Sequence, residues 1–325
     1  MINENNHEKN ELLLEGIDNN KFNKFNKQKL LSIFIIFLIL IIPNNIAPKM
    51  TVCLCTLGKN ENKYTREFVE FYKNIGVDKI IIYDNNDEDG EKFEYVIPDY
   101  INSSFVEIID YRGQDSIQLP SINDCFQKYM KIYNWIMIND MDEFIHLKEN
   151  NIKKFLSLNR LKNCNVIHFN WRHHSDSGQI YYKNESLFKR FPDIVTRVPE
   201  TVKSIIRGKR KPIYTNNHHV LKYNYSCCNA FGIKIMENEF INEIQIRNPD
   251  YKDYFFDHFY TKSAEEYIEK KNRGDCFFGK NKRIDMYAID VYFRFNKLTI
   301  EKIEFFENRT GFNLSKFRAK LNISI

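Results

Sequence analysis

The sequence predicts an α/β fold with a mostly parallel central sheet and flanking helices. Residues 50–57 and 79–83 are apolar runs of strand length. Between them, residues 64–75 carry apolar side chains at helical spacing and are followed by Gly76, a common residue at helix ends. A strand, a helix and a second strand in one short stretch make a βαβ unit, whose two strands lie parallel. This unit is the main reason for the predicted fold class.

The alternation of strand and helix patterns continues along the chain. Further strands are predicted at residues 105–110, 135–138 and 166–170, and a helix at residues 123–131. Toward the C-terminus, residues 263–273 and 299–308 repeat apolar side chains at helical spacing. Ser263, with Glu266 three residues later, matches a capping box and predicts where the first of these two helices begins.

Four segments are predicted along the chain. Residues 1–29 are polar and lack a periodic apolar face, which predicts a disordered cytoplasmic tail. Residues 30–47 are predicted to be a transmembrane signal-anchor. We expect residues 48–295 to form one Rossmann-like catalytic domain and residues 296–325 to form a C-terminal helical extension.

The apolar segment at residues 30–47 has two alternative interpretations, a cleaved signal peptide and a buried helix. Its uncharged core runs from Leu30 to Ile42, which is shorter than the roughly 20 residues that cross an average bilayer. No small-x-small cleavage site follows it, and it is apolar on every side, so an uncleaved anchor is preferred. The lysines that precede the segment predict a cytosolic N-terminus and a lumenal catalytic domain.

Composition excludes several classes of protein. With 325 residues and 43% hydrophobic side chains, the chain can bury a substantial core. Its net charge of +5 arises from 48 basic and 43 acidic side chains that are interleaved, which argues against a nucleic acid partner. The cysteines include no C-x-x-C pair, which argues against structural zinc. They allow either disulfides in an oxidising compartment or a set of reduced, buried thiols.

Two polar clusters follow the first two predicted strands. Glu61 comes shortly after the first strand, and Asp84 comes directly after the second. In an open parallel sheet, ligands bind beyond the carboxyl ends of the strands, where such a carboxylate can accept hydrogen bonds from a ribose or a base. The alternative is an ordinary polar turn, in which Asn and Asp are common.

A third cluster follows the apolar strand predicted at residues 135–138. It reads Asp140-Met141-Asp142-Glu143. Carboxylates at positions i and i+2 of a turn can hold Mg²⁺ or Mn²⁺, and the diphosphate of a nucleotide would supply further oxygen ligands. The alternative is a helix N-terminus, where acidic side chains are stabilised by the helix dipole.

Three blocks of sequence occur in an order that resembles a known family. They are Lys59-Asn60-Glu61 with the stretch from Glu70 to Asp87, the stretch from Trp135 to Phe144, and the stretch from His258 to Gly274. Together they resemble the GT-A domain of glycosyltransferases of the family 2 and family 92 type, over about residues 50–280. The resemblance implies a nucleotide-diphosphate sugar as donor, Mn²⁺ or Mg²⁺ bound to its diphosphate, and inversion at the anomeric carbon.

The resemblance also implies roles for individual side chains. Glu61 and Asp84 match positions that grip the nucleoside. Lys262 and Arg273 match positions that neutralise the departing diphosphate. The side chains expected to bind the donor are therefore Glu61, Asp84, Asp140, Lys262 and Arg273, and the metal ligands are Asp140, Asp142 and His258.

The expected catalytic base lies in the segment after the metal motif. Related domains carry an aromatic residue and a glycine in this segment, where the present chain has His174 and Ser175. Inverting transfer needs a base that removes the proton of the acceptor hydroxyl. Asp176 is the candidate, with Asp257 and Glu143 as alternatives.

We therefore expect a single-pass type II membrane protein of the Golgi or secretory pathway that transfers a hexose from a nucleotide sugar to a glycan. Galactose from UDP-galactose is the first candidate. Two alternatives remain open. One is a transferase of lipid-linked or surface polysaccharide with the apolar run as a peripheral anchor, and the other is a non-catalytic sugar-binding protein of the same fold.

Overall fold

The computed structural model describes residues 50–195, 201–208, 226–235, 240–242, 245–246, 251–274 and 283–321. The predicted tail at 1–29 and the predicted anchor at 30–47 lie outside the described residues. Among the helices of the described ranges, none has the length and apolar character that crossing a membrane requires. The anchor therefore stays a prediction.

Four parallel strands form the first half of the main sheet. They are β1 (Val52–Gly58), β2 (Lys79–Asp84), β3 (Val106–Asp110) and β4 (Trp135–Ile138). Their order in the sheet is β3-β2-β1-β4, and every pairing among them is parallel. Helix α1 (Asn62–Asn74) joins β1 to β2. The βαβ unit predicted from the sequence is confirmed.

The second half of the sheet differs from the prediction because it is mixed. Its strands are β5 (Glu143–Leu147), β6 (Val166–His173), β7 (Val202–Arg207) and β11 (Tyr254–His258). Strand β7 runs antiparallel between β4 and β6, whereas β11 is parallel to β6 and antiparallel to β5. A mostly parallel sheet was therefore wrong for this half, because it contains β5, β7 and β11, short strands that the sequence pattern does not identify.

Three further short strands complete the described β-structure. They are β8 (Cys227–Asn229), which pairs with β6, and the separate pair β9 (Phe240–Asn242) and β10 (Gln245–Ile246).

Helices flank the sheet and follow it toward the C-terminus. They are α2 (Pro98–Asn102), α3 (Gln118–Tyr129), α4 (Ile152–Leu156), α5 (Leu187–Arg190), α6 (Ala264–Asn272), α7 (Met286–Phe295), α8 (Ile300–Thr310) and α9 (Ser315–Lys320). The capping box at α6 is confirmed, because Ser263 and Glu266 each bind the backbone N–H of the other.

Successive side chains of the central strands enter two separate cores. On one face, Leu54 packs in a cluster with Phe68 and Tyr72 of α1. On the other face, Cys55 packs with Phe126 of α3. A strand that is buried on both faces reads as a continuous apolar run, which explains the pattern at 50–57. Phe68 is fully buried, so the substitution Phe68→Ala should lower the free energy of unfolding by about 3 to 5 kcal/mol.

A third core joins the C-terminal helices to α6. Tyr267 of α6 packs there with Tyr292 of α7 and Phe306 of α8. The boundary predicted at residue 295 coincides with the end of α7, although helices on both sides of that boundary share this core.

Two disulfides join parts of the domain that are distant in sequence. Cys55 of β1 is bonded to Cys125 of α3, and Cys164 is bonded to Cys228 of β8. Within the described ranges, Cys53 and Cys227 are the free cysteines. Of the two interpretations of the cysteines, the structure supports the one with disulfides.

The adjacent residues Cys227 and Cys228 provide a test of this pairing. Replacing Cys228 by Ser should lower the free energy of unfolding by about 4 kcal/mol, because the lost bond closes a loop of 64 residues. The matched variant Cys227→Ser should lower it by about 1 kcal/mol or less, because Cys227 is only partly buried and forms no disulfide. Urea unfolding measures both, and the reverse ranking of the two variants would contradict the pairing.

Candidate functional site

The directions of the strands bring the polar side chains to one edge of the sheet. Strand β7 lies between β4 and β6 and is antiparallel to both, so β4 and β6 point the same way. Strands β1, β4, β6 and β11 therefore all run in the same direction. Their carboxyl ends therefore lie at one edge. Strand β5 runs oppositely, so its first residue, Glu143, lies at this edge as well.

Three buried side chains at this edge form a candidate metal site. Asp142, Glu143 and His258 offer ligand atoms that all lie within 4.8 Å of one another. The antiparallel pairing of β5 with β11 sets His258 directly opposite Glu143. His258 Nε2 lies 3.6 Å from Asp142 Oδ1.

The acidic stretch is a turn between β4 and β5. The carboxylate of Glu143 accepts a hydrogen bond of 2.9 Å from the backbone N–H of Asp140, which closes the turn. Met141 packs against the end of β1, where a Cβ on Gly58 would lie 2.8 Å from Met141 Cε. A larger residue at position 58 would force the Met141 side chain and the ring of Phe93 to shift, since Phe93 Cζ would lie 2.6 Å from the added Cβ. The structure excludes the alternative of a helix N-terminus here.

Asp140 lies apart from the three clustered residues. Its side chain is 41% exposed and forms an ion pair of 2.9 Å with the buried Lys203. Lys203 also lies 3.3 Å from Glu143. The structure thus places Glu143, rather than Asp140, with Asp142 and His258, and the metal role of Asp140 stays a prediction. The position of Glu143 opposite His258 depends on β5 and β11, which the sequence pattern does not identify.

The two buried carboxylates of the cluster have pKa values shifted in opposite directions, because their neighbouring cations differ. Burial raises the pKa of Glu143 well above its ordinary value, because desolvation of the carboxylate outweighs the attraction of Lys203. Burial also acts to raise the pKa of Asp142, but Lys270 and Lys262 outweigh it and hold this pKa below its ordinary value. Asp142 is therefore charged at neutral pH.

A cleft lined by charged side chains of both signs opens beside the cluster, between α1 and α6, with a volume of about 510 Å³. Lys262 and Arg273 bind the two carboxylate oxygens of Glu61 at 3.0 and 2.8 Å. Lys270 binds Asp142 at 2.6 Å. Two carboxylates thus hold three cations at the end of the cleft nearest the cluster. The cleft is also lined by Lys63, Glu91, Glu266 and Glu269.

Glu61 acts on the cleft through its neighbours. Its side chain is almost completely buried, and both oxygens are bound to Lys262 and Arg273. Burial acts to raise the pKa of Glu61, yet these two cations hold it below its ordinary value. Lys262 has a left-handed backbone with φ of 52°, a conformation that costs a non-glycine residue on the order of 1 kcal/mol. The direct contact of Glu61 with a nucleoside stays a prediction.

Asp84 is bound to an arginine that the sequence analysis did not identify. Arg112 contacts the carboxylate through Nε at 2.7 Å and Nη2 at 2.6 Å. The backbone N–H of Asn86 donates a further hydrogen bond of 2.9 Å to it. Arg112 follows β3, the strand parallel to β2, so its position after a strand end was the available signal. The nucleoside contact of Asp84 stays a prediction.

A histidine that the sequence analysis did not identify as a site residue lies beside His258. The parallel pairing of β6 with β11 sets His173 next to His258, with ring centroids 4.8 Å apart. Burial lowers the pKa of His173 to about 3, so its imidazole is neutral at physiological pH. Trp171, on the same face of β6, lies 4.4 Å from His258 between ring centroids.

Asp176 is buried among the C-terminal helices. Its carboxylate forms an ion pair with Lys302 of α8 and accepts a hydrogen bond from the hydroxyl of Tyr292 of α7. Its backbone N–H donates to the side chain of Asn296. These contacts attach the loop after β6 to the third core. The role of Asp176 as catalytic base stays a prediction beside this structural one.

The two alternative bases are engaged as well. Asp257 Oδ1 is bound by Arg172 Nη2 at 2.6 Å and by His174 Nε2 at 2.7 Å. Glu143 accepts a hydrogen bond from the backbone N–H of Asp140 and lies 3.3 Å from Lys203, and burial raises its pKa well above the ordinary value.

Replacing Asp176 by Asn separates its structural role from the catalytic one. The substitution should cost about 3 kcal/mol of folding stability, because Lys302 would stay buried without its counterion. The double variant with Lys302→Met should regain most of that loss. Urea unfolding and transfer activity are measured on both proteins. Restored stability without restored activity would support the base, whereas recovery of both would leave a structural role alone.

The arrangement defines a class of site. A mixed α/β sheet carries buried acidic and imidazole ligands at the carboxyl edge of its strands, with three fixed cations beside them, which suits a metal-bound phosphate ligand. The model of Glycosyltransferase family 92 matches residues 48–275. The chain belongs to glycosyltransferase family 92, and the resemblance seen in the sequence is confirmed.

Individual relatives match a smaller part of the chain. A glycosyltransferase family 92 protein of Ricinus communis is 30% identical over 96 residues, which are 30% of this chain and 17% of that protein. The beta-1,4-galactosyltransferase galt-1 of Caenorhabditis elegans is 29% identical over 114 residues, which are 32% of this chain and 27% of that protein. The matched segments thus span about a quarter or less of these relatives.

Among solved structures, S. aureus TarS 1-349 in complex with UDP-GlcNAc is similar at 10% identity and a TM-score of 0.36. The match covers 85% of this chain and 77% of that chain. At this TM-score the two folds are only loosely alike.

Proposed function

We propose that this chain is a metal-dependent, inverting glycosyltransferase that moves a hexose from a nucleotide-diphosphate sugar to a glycan acceptor. The observation that carries the proposal is the buried cluster of Asp142, Glu143 and His258 beside three cations that are held in place, Lys262, Lys270 and Arg273. A diphosphate is the ligand that needs both, since it binds a divalent ion and carries further negative charge. The mixed sheet supports a GT-A domain, the fold that the sequence resemblance implies.

The residues of the cluster fit Mn²⁺ or Mg²⁺. Two carboxylates offer the oxygen ligands that both ions prefer, and a neutral imidazole suits Mn²⁺ in particular. Glu143 Oε1 is buried and has no hydrogen-bond partner in the part of the chain that the structure describes. Such an atom is costly to bury without a partner, so a cation beside it would offset that cost. When bound, the ion would stabilise the negative charge of the departing diphosphate.

The cations of the cleft support the same reaction from the protein side. Lys262, Lys270 and Arg273 are already fixed by Glu61 and Asp142. Groups that are held in place before the reaction stabilise developing charge without reorganising. We propose that Lys262 and Arg273 contact the diphosphate, and that Glu61 and Asp84 bind the nucleoside, Asp84 together with Arg112. Asp140 is proposed to join the metal or the ribose from the rim, with Asp176 as the candidate base.

Galactose is the first candidate for the transferred hexose. The support is the galactosyltransferase name of the Caenorhabditis elegans relative, which matches only part of this chain. UDP-galactose is therefore the first donor to test, with UDP-glucose and UDP-GlcNAc beside it.

The metal and the donor can be tested together with Asp142. Mn²⁺ with UDP-galactose should raise the Tm of the wild-type protein by about 5 °C at saturation. In Asp142→Asn this rise should vanish, and the affinity for Mn²⁺ should fall at least about tenfold, because a charged ligand is lost. Thermal unfolding and calorimetric titration with Mn²⁺ provide the two readouts, each compared with the same variant free of ligand.

Asp253→Asn is the matched control. Asp253 lies just before β11, near the other end of that strand from His258, and pairs with the exposed Lys148, so its loss should leave both readouts unchanged. An equal effect of both substitutions, or a wild-type protein that no UDP-hexose stabilises with Mn²⁺, would contradict the proposal. A wild-type protein that binds the donor but transfers nothing would instead favour the sugar-binding alternative.

We propose further that the chain is a single-pass membrane protein of the secretory pathway, with its catalytic domain in the lumen. The apolar run at 30–47 and the lysines before it support this orientation. The disulfides Cys55–Cys125 and Cys164–Cys228 support it as well, because such bonds persist in oxidising compartments.

Two charges placed in the apolar run test the anchor. The full chain should stay in the membrane pellet after extraction with alkaline carbonate. The double variant Ile36→Arg and Leu38→Arg should be released, because each arginine adds about 2.5 to 3.5 kcal/mol to the cost of insertion. Release of the wild-type chain under the same conditions would favour the peripheral anchor instead.

A further inference from the structure

The core-facing side of β6 ends in a polar residue at the edge of the candidate site. Ile167, Phe169 and Trp171 face the first core, and His173 is the next residue on that face. Strand β11 follows the same pattern, with His258 as its last residue. Two parallel strands therefore end side by side in an imidazole, where the core meets the ligand-binding edge.

Aromatic rings enclose His173 and leave its nitrogen atoms unused. Trp171 and Phe295 lie 5.4 and 5.1 Å from His173 between ring centroids, and the side chain is 3% exposed. Neither ring nitrogen has a hydrogen-bond partner within the described ranges. By contrast, both ring nitrogens of the adjacent His174 are bonded, to Phe191 O and to Asp257.

An imidazole without partners is expensive to bury. A buried polar group that loses its hydrogen bond costs about 1 to 3 kcal/mol, and a phenylalanine would fill the same space without that cost. Buried polar groups of this kind commonly bind something else, such as a ligand or an ordered water. The surroundings of His173 therefore indicate a ligand that carries hydrogen-bonding groups.

The position of His173 indicates which part of a ligand it would contact. It lies beside His258 but is not part of the group of ligand atoms within 4.8 Å that Asp142, Glu143 and His258 form. A group one step beyond the metal-bound diphosphate would therefore reach it. In a nucleotide sugar, that group is the sugar, which is attached directly to the second phosphate.

The chemistry of the side chains around His173 agrees with a sugar. A neutral imidazole offers one N–H donor and one nitrogen acceptor, and a hydroxyl group can pair with either. Trp171 and Phe295 both contact the His173 ring, and aromatic carbon of this kind suits the apolar C–H groups of a pyranose.

We propose that His173 binds a hydroxyl group of the hexose of the donor and so helps to select which sugar is transferred. This inference rests on the proposed function, because it requires a nucleotide sugar at the Asp142 cluster. It assigns a role in sugar specificity to His173, which lies outside the stretch from Asp140 to Glu143.

The test compares a nucleotide with and without its sugar. In His173→Phe, the affinity for UDP-galactose should fall about five- to tenfold, because one hydrogen bond is lost. The affinity for UDP and for Mn²⁺ should change less than about twofold, since neither ligand carries the sugar. Calorimetric titration with Mn²⁺ alone, and with UDP or UDP-galactose at saturating Mn²⁺, measures all three. UDP-glucose and UDP-GlcNAc are titrated in parallel. The donor that binds the wild-type protein most tightly is then used for the comparison with UDP.

Two conservative variants show which nitrogen is used and guard against a folding defect. His173→Asn places an amide near the position of Nδ1, and His173→Gln places one near Nε2. One of the two should recover part of the lost affinity for the UDP-hexose. His146→Phe is the matched control, because His146 of β5 stacks on Phe255 at 4.3 Å on the other face of the sheet and should have no effect.

The outcomes separate this inference from the proposed function. If His173→Phe lowers the affinities for UDP and for the UDP-hexose equally, or lowers neither, the role of His173 is overturned. A donor site would still be in place. Unchanged UDP-hexose affinity with slower transfer would assign the contact to the acceptor and would also overturn it. Wild-type protein that binds neither UDP nor any UDP-hexose would remove the proposed function, and this inference with it.

Discussion

Strand direction is the constraint on which the candidate site depends. Strand β7 runs antiparallel to both of its neighbours, and this returns β6 and β11 to the direction of β1 and β4. The carboxyl ends of both halves of the sheet consequently meet at one edge. Asp142, His258 and His173 come from distant parts of the chain, yet they are brought together because backbone hydrogen bonding fixes the register of each strand.

Charge balance decides how these side chains can be buried. An isolated carboxylate in the interior would be strongly destabilising, so each one needs a cation or a proton. Asp142 and Glu61 are paired with Lys270, Lys262 and Arg273, whereas burial raises the pKa of Glu143. The pairs add little net stability, since desolvation offsets their attraction. Their consequence is a rigid group of cations beside the acidic cluster.

Several parts of the candidate site could be predicted from local sequence, and others could not. The Asp140 to Glu143 stretch follows a short apolar strand, and that pattern is visible in one segment. The choice of Glu143 over Asp140 for the cluster depends on the pairing of β5 with β11, which no local pattern encodes. The burial of Asp176 against α8 could not be predicted for the same reason, since its partner Lys302 is distant in sequence.

The sequence by itself determined the βαβ unit, the capped start of α6 at Ser263 and the family, because these depend on periodicity and on residues close together in the chain. Tertiary structure alone decided the mixed half of the sheet and the surroundings of each ionisable group. Strand β7 has Lys and Ser among its apolar residues and pairs with strands from other parts of the chain, so its local pattern is weak. The environment of His173 likewise depends on β11 and α7, which pack against it only after the chain has folded.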